Sequence, residues 1–277
     1  MRKIPLSILI PTLNEEANLP ACLQSCAFAD QVVVVDSLSS DGTRAIAEKH
    51  GAQLFEHRFE NYSAQKNWAL DTLPWRNGWI FILDADERFS PELADEVGRR
   101  ISDPGEHVAF QVNRRFIFLG RWIKHCGWYP SWNLRLFRRG KARYDGRPVH
   151  EHMIADGPVG FLDHDLIHED QKGISAWLDR HNRYSTAEAT ARLWPRTTPL
   201  SLSAVKDPIL VKRLIRERVW PWVPAKPVAF FAYMYFLRLG ILDGWPGLAF
   251  SLLQAQQEFH VGLKVRERRR LSALGAK

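Results

Sequence analysis

Trp79-Ile80-Phe81-Ile82-Leu83-Asp84-Ala85-Asp86 runs through five apolar residues and then sets two acids one residue apart. A short, unbroken apolar run that stops at polar residues is the pattern of a strand covered on both faces. It predicts a strand Trp79–Leu83 ending at Asp84. The same pattern recurs upstream, at Leu6–Ile10 and at Val32–Val35, which ends at Asp36, with a shorter strand at Ala52–Phe55. Helical stretches lie between: one opening at Asn14-Glu15-Glu16 and running to Cys26, one over Gly42–His50 with Asp41 as its N-cap, and one over Tyr62–Leu73. Strand and helix in regular alternation predict an α/β fold, a Rossmann-like, mainly parallel sheet flanked by helices. Ligands of such sheets bind beyond the carboxyl ends of the strands, and Asn14, Asp36, Asp84 and Asp86 all fall there.

Downstream of a helix at Pro91–Ile101, residues 108–150 are rich in aromatics and arginines and read as hairpins. Residues 173–193 carry Ile174, Trp177, Leu178, His181 and Tyr184 at helical spacing. Pro195 and Pro199 mark a boundary. It separates a domain at 1–195 from a helical extension at 196–277, with helices near 208–219, 226–240 and 247–262. The 277 residues carry a net charge of +7, distributed unevenly. Residues 1–195 hold 24 basic and 26 acidic side chains, while 196–277 hold 14 basic and 5 acidic. A nucleic-acid binder would spread its basic patch over the folded domain, so no nucleic-acid partner is expected. Cys22, Cys26 and Cys126 cannot frame a chain of this length with disulfides, which predicts packed thiols and a reducing, cytoplasmic compartment. The apolar run after Met1-Arg2-Lys3 is short and bracketed by prolines, as suits a first strand rather than a signal peptide.

On an extended chain Asp84 and Asp86 point to one side, where both can grip a hard divalent cation that keeps positions open for phosphate oxygens. The simpler alternative is that Asp84 ends a strand and Asp86 caps a turn. Among Trp122, Trp128, Tyr129, Trp132 and Phe137 stand Arg135, Arg138 and Arg139. Aromatic faces stack on sugar rings, and arginine clamps phosphate. Trp128 and Arg135 are the residues chosen for binding an acceptor. The irregular spacing of His125, His150, His152 and His164 does not suit a structural zinc site.

Three segments occur in order: Pro11-Thr12-Leu13-Asn14-Glu15-Glu16, Val33-Val34-Val35-Asp36-Ser37-Leu38-Ser39-Ser40-Asp41-Gly42-Thr43, and Leu83-Asp84-Ala85-Asp86-Glu87. Together they resemble the nucleotide-sugar domain of family 2 glycosyltransferases, which have the GT-A fold. Gln65-Lys66-Asn67-Trp68-Ala69, Gly127-Trp128-Tyr129-Pro130, Arg135-Leu136-Phe137-Arg138-Arg139, Val149-His150-Glu151 and Leu239-Gly240-Ile241-Leu242-Asp243-Gly244 extend the likeness. They are similar to the subgroup of lipopolysaccharide core β-1,4-glucosyltransferases, which glucosylate a heptose of the inner core. The resemblance implies an inverting transfer of a hexose from a nucleotide sugar, UDP-glucose first among them, with Mg2+ or Mn2+. It implies that Thr12, Asn14 and Glu15 line the nucleotide pocket, that Asp36 contacts uracil or ribose, and that Lys66 offsets the nucleotide's charge. Asp84 would face the ribose or the ion, Asp86 would bind the metal, and His168 would be a further metal ligand. Glu151 would take the acceptor's proton, with Asp145, Asp163 and Asp165 as competitors. One departure is Leu38, where the family often has glycine; a positive φ there would require a changed loop.

Val228–Leu237 is apolar and aromatic, but as helix it covers about 15 Å and cannot span a bilayer. Lys206, Lys212, Arg213, Arg216 and Arg218 precede it and Arg266, Arg268, Arg269 and Arg270 follow. The arrangement suits adsorption on an anionic membrane surface, peripheral to the cytoplasmic face of the inner membrane, where a lipid-linked saccharide acceptor is met. Polyprenyl phosphate is the alternative acceptor, and a non-catalytic nucleotide-sugar or membrane-binding module the alternative to an enzyme.

Overall fold

The computed structural model describes residues 3–145, 152–193, 223 and 225–275. Its contacts divide the chain into two compact units, Met1–Lys124 with Trp128–Lys172, and His125–Gly127 with Gly173–Lys277. The first unit opens with β1 (Ile4–Thr12), α1 (Leu19–Ser25), β2 (Ala29–Asp36), α2 (Thr43–Lys49), β3 (Gln53–Glu56), α3 (Tyr62–Thr72) and β4 (Trp79–Ile82). A short β5 (Glu87–Arg88) leads to α4 (Pro91–Ser102). Strands then follow one another: β6 (Ala109–Val112), β7 (Arg114–Phe118), β8 (Arg121–Trp122), β9 (Asn133–Arg138), β10 (Ala142–Tyr144), β11 (Met153–Ala155), β12 (Val159–Phe161) and β13 (Leu166–His168).

The principal sheet has the order β12-β6-β9-β4-β1-β2-β3, and every strand but β9 runs parallel. This is the mainly parallel α/β sheet that the alternation predicts. Leu6, Ile8, Ile10, Val34 and Phe81 enter one core with Leu19 and Leu23 of α1, Ala47 of α2 and Leu93 and Val97 of α4. Leu9, Val33, Val35, Ile80 and Ile82 enter the other, with Ala69 of α3 and Trp75. Successive strand residues face opposite ways, so a sheet covered on both sides needs apolar residues at every position. The free thiols of Cys22 and Cys26 are buried in the first core. Residues 108–150 are more than hairpins. β6 and β9 are built into the principal sheet, while β7 and β8 join β5 and β13 in a second one.

The first helix starts at Leu19 and not at Asn14. Asn14 has φ +53°, and the N–H groups of Asn14, Glu15 and Glu16 donate to Ser39 Oγ, Thr43 Oγ1 and Asp41 Oδ2 across the β2–α2 loop. Those side chains satisfy donors that a helix start would leave open, so the segment stays a loop locked to its neighbour.

The second unit holds α5 (Gly173–Ala191), α6 (Lys226–Ala232), a π-helical turn Tyr233–Leu237, a 3₁₀ turn Gly240–Asp243 and the long α7 (Gly244–Gly275). The sequence places α5 with the first domain; the contacts place it with α7. Arg192, just past α5, donates to Glu258 at 2.8 Å, and Lys264 Nζ is ringed by Asn182, Ser185 and Thr186 oxygens of α5. The helix expected near 208–219 lies outside the described residues.

Candidate active site

β4 stops at Ile82, and the acids after it enter a tight turn in which Glu87 N donates to Asp84 O. The alternation of an extended chain therefore does not reach Asp84 and Asp86, and the two carboxylates have separate partners. Asp84 Oδ2 accepts from Arg135 Nη2 at 2.6 Å, Oδ1 lies 3.5 Å from Lys66 Nζ, and its backbone N–H donates to Glu87 Oε2. Arg135 also donates to Glu87 Oε1 at 2.8 Å, and Arg114 reaches the same oxygen. Glu87, Arg135 and Lys66 are buried. Burial alone would raise the Asp84 carboxyl, but Arg135, Lys66 and Arg114 outweigh it and hold the group far below the ordinary carboxylate range. This is a fixed anionic corner braced by cations. Arg135 arrives there because β9 pairs antiparallel with β4, setting Leu136 opposite Phe81. The expectation that Arg135 grips an acceptor is thus corrected: it is 5% exposed and spent on Asp84 and Glu87.

Asp86 turns the other way. β13 pairs with β5, His168 opposite Glu87, and this brings His168 Nε2 to 3.3 Å from Asp86 Oδ2. Burial opposes protonation of His168, yet the Asp86 carboxylate and Glu87 prevail and lift its pKa above the ordinary imidazole value. Among the described residues no cluster of three His, Cys, Asp or Glu side chains stands ready for a metal. The Asp86 carboxylate nevertheless fits Mg2+ or Mn2+, which keep most of their positions for water and phosphate oxygens, while the His168 imidazole suits Mn2+ better than the harder Mg2+. Glu15 lies in the same field. Burial raises its carboxyl above the usual value against hydrogen bonds from Lys172 and Asn18, and the charge of Asp86 adds to the rise.

The loops beyond β1 and β2 close the other side. Asp36 is wholly buried, accepts from Thr12 Oγ1 at 3.0 Å and from Ser39 N and Oγ, and so ties the ends of β1 and β2 together. Neither Thr12 nor Asp36 presents a free side chain; both support the loop. Asn14 is exposed there, and its amide oxygen accepts from Ser40 N at 2.8 Å. Leu38 itself takes the left-handed φ of +64°, with its side chain 55% exposed. The loop keeps the backbone that a glycine would favour and carries the strain. We expect Leu38→Gly to raise stability by about 0.5–1 kcal/mol, relief of left-handed strain exceeding the entropic cost of glycine. A raised thermal midpoint checks this; a lowered one would mean that the Leu38 side chain packs usefully.

Trp128 is 37% exposed and lies against Phe116, which in turn contacts the His168 ring, each pair with centroids 5.3 Å apart. Glu151 lies outside the described residues. Of its competitors, Asp165 is buried and bonded to Arg115 and the Tyr129 hydroxyl, which leaves it poorly placed to take a proton. Asp145 pairs with the backbone of His152, and Asp163 is exposed beside Arg100. Glu87, quoted above only as the end of the acidic motif, and Arg114, which no motif contains, complete the network. Glu87 follows the acidic pair directly; nothing local marks Arg114.

The model of the glycosyl transferase family 2 matches residues 7–156, which contain the strands and loops just described up to β11. The lipopolysaccharide core biosynthesis glycosyltransferase LpsC of Rhizobium meliloti is 33% identical over 227 residues, covering 79% of this chain and 83% of that protein. An uncharacterised glycosyltransferase of Rickettsia prowazekii is 33% identical over 96% of this chain and 88% of its own length. The mannosyltransferase PcManGT of Pyrobaculum calidifontis, solved with GDP-Man and Mn2+, shares the fold with a TM-score of 0.54 at 18% identity, over 96% of this chain and 88% of that one. With that match and those relatives, the chain is a glycosyltransferase and belongs to glycosyl transferase family 2.

Proposed function

We propose that this glycosyltransferase is an inverting, metal-dependent hexosyltransferase that moves glucose from UDP-glucose to a hydroxyl of a lipid-anchored saccharide of the lipopolysaccharide inner-core kind. The observation that carries the reading is the Asp86–His168 pair, held beside a cation-braced acidic corner where β4 ends. The LpsC relative, named for lipopolysaccharide core biosynthesis, supports the acceptor class.

Asp86 and His168 would hold the divalent cation, which when bound offsets the charge growing on the departing diphosphate. Asn14 and Glu15 line the nucleotide side, and Asp36 acts at one remove by fixing Thr12 and Ser39. Lys66, close to Asp84, adds positive potential where the nucleotide's phosphates would lie. An inverting attack needs a carboxylate on the face opposite the leaving group, and Glu151 is assigned that proton transfer from the sequence. The exposed face of Trp128 suits the apolar side of a sugar ring. The enzyme works peripherally on the cytoplasmic face of the inner membrane, where donor and lipid-anchored acceptor meet.

A panel of nucleotide sugars, read by released nucleotide diphosphate with and without a chelator, tests class, donor and metal together. Chelator-sensitive release from UDP-glucose is expected; release from no donor would overturn the reading. Glu151→Gln is expected to stop transfer to a hydroxyl acceptor. Retained activity would point to an acceptor that is already an anion, such as polyprenyl phosphate. Trp128→Ala should raise the acceptor KM about tenfold and leave acceptor-free hydrolysis of the donor unchanged. An equal loss of both would remove Trp128 from the acceptor site.

A further inference from the structure

Residues 227–257 contain only two charged side chains, Arg238 and Asp243. Asp243 is turned inward: it is buried, and its carboxylate accepts from His125 N at 2.9 Å and lies 2.8 Å from His125 Nδ1. Apart from Arg238, what the bend between α6 and α7 shows outward is mainly apolar. Phe236, Leu237, Leu239, Ile241, Leu242 and Trp245 are each between 48% and 76% exposed. Single exposed leucines are ordinary, but so many large ones within ten consecutive residues mark a surface that something covers.

The bend is a built feature. Leu239 holds φ +56°, and Cys126 N donates to Arg238 O at 3.0 Å. The chain also crosses itself so tightly that a Cβ on Gly247 would sit 2.2 Å from Gly240 O. Among the described residues no single helix is long and apolar enough to cross a membrane; α6 with its π-turn and α7 meet at 72°. Arg238, exposed within the patch, can extend its stem over apolar surface and keep its head at the level of phosphates. At the far end of α7, burial and the charges of Arg192, Arg266 and Arg269 push the Lys226 ammonium below its usual value against the pull of Glu258, so cations outnumber acids there too. Residues 196–277 as a whole carry 14 basic against 5 acidic side chains. A second copy of the chain would bring the same positive charge against itself, whereas an anionic surface complements it.

We propose that Tyr233–Trp245 is a wedge that enters one leaflet of an anionic phospholipid bilayer without crossing it, its apolar crown among the acyl chains and Arg238 at the headgroups. The choice of a bilayer as the occupant rests in part on the reading above, because a lipid-anchored acceptor lies in one.

The test is flotation of the full chain with vesicles of phosphatidylglycerol and phosphatidylethanolamine, and with phosphatidylcholine alone. Wild type should float with the anionic vesicles and far less with the neutral ones. Leu237→Asp with Trp245→Asp should weaken that binding about thirtyfold or more, with thermal midpoint and donor hydrolysis unchanged. Unchanged vesicle binding in the double variant would overturn the proposal. So would a fall in its thermal midpoint, which would mean that the crown packs against this chain, or a wild-type dimer in solution that the variant dissolves. Donor hydrolysis absent from both proteins while the vesicle difference persists would sink the transfer reading and leave the wedge standing.

Discussion

Asp86→Ala is expected to lower kcat/KM for sugar transfer by on the order of a thousandfold while the protein stays folded. Asp86 touches His168 and sits on a turn after the core strand, so its loss opens no cavity in either core. Stability should therefore shift by less than about 1 kcal/mol. Titration calorimetry of UDP supplies the second readout. Addition of Mn2+ should tighten UDP binding to the wild type and have no effect on the variant. Activity within tenfold of wild type would remove Asp86 from the reacting centre.

The second large effect is on stability. Arg135→Met is expected to cost about 3–5 kcal/mol, because it strands the buried Glu87 carboxylate beside the half-buried one of Asp84, with Lys66 and Arg114 the cations left in reach among the described residues. Urea denaturation of wild type and variant measures the cost. Adding Glu87→Gln to the variant removes one of the stranded charges and should restore part of the loss. The pair of measurements also separates the structural role of Arg135 from the one its sequence context suggests. An acceptor-binding arginine would, on mutation, raise the acceptor KM at unchanged stability, and that result would reverse the assignment made here.

The sheet was legible in the sequence because covering a strand on both faces demands apolar residues at each position, and Val32–Val35 and Trp79–Leu83 meet that demand without interruption. The ends of those strands also mark the site, since polar residues can begin only where the core ends. What the pattern could not convey is pairing at a distance. β9 lies more than fifty residues beyond β4 in the chain, and nothing in Arg135-Leu136-Phe137 announces that it will lie antiparallel beside Ile80 and Phe81 and deliver a guanidinium to Asp84. The aromatic and basic company of Arg135 suggested a sugar-phosphate site, whereas its burial makes it part of the frame.

His168 shows the opposite case. A lone histidine after a short apolar run is weak evidence locally, and only the family likeness picked it out; the pairing of β13 with β5 then sets it beside Asp86. The loop from Asn14 to Glu16 misled for a third reason. Acids after an asparagine are a common helix start, but Ser39, Asp41 and Thr43 compete for the same N–H groups and win. Leu38 is instructive in that light. A positive φ there was expected to require a changed loop; the backbone does take a positive φ, with leucine in a position that glycine would favour.

A crystal of the wild-type protein grown with UDP and Mn2+ and measured at a wavelength with strong manganese anomalous scattering puts the central claim to its most direct test. We expect one strong peak beside the Asp86 carboxylate and His168 Nε2. Nucleotide density with no peak between those two side chains, or a peak bound elsewhere, would contradict the account.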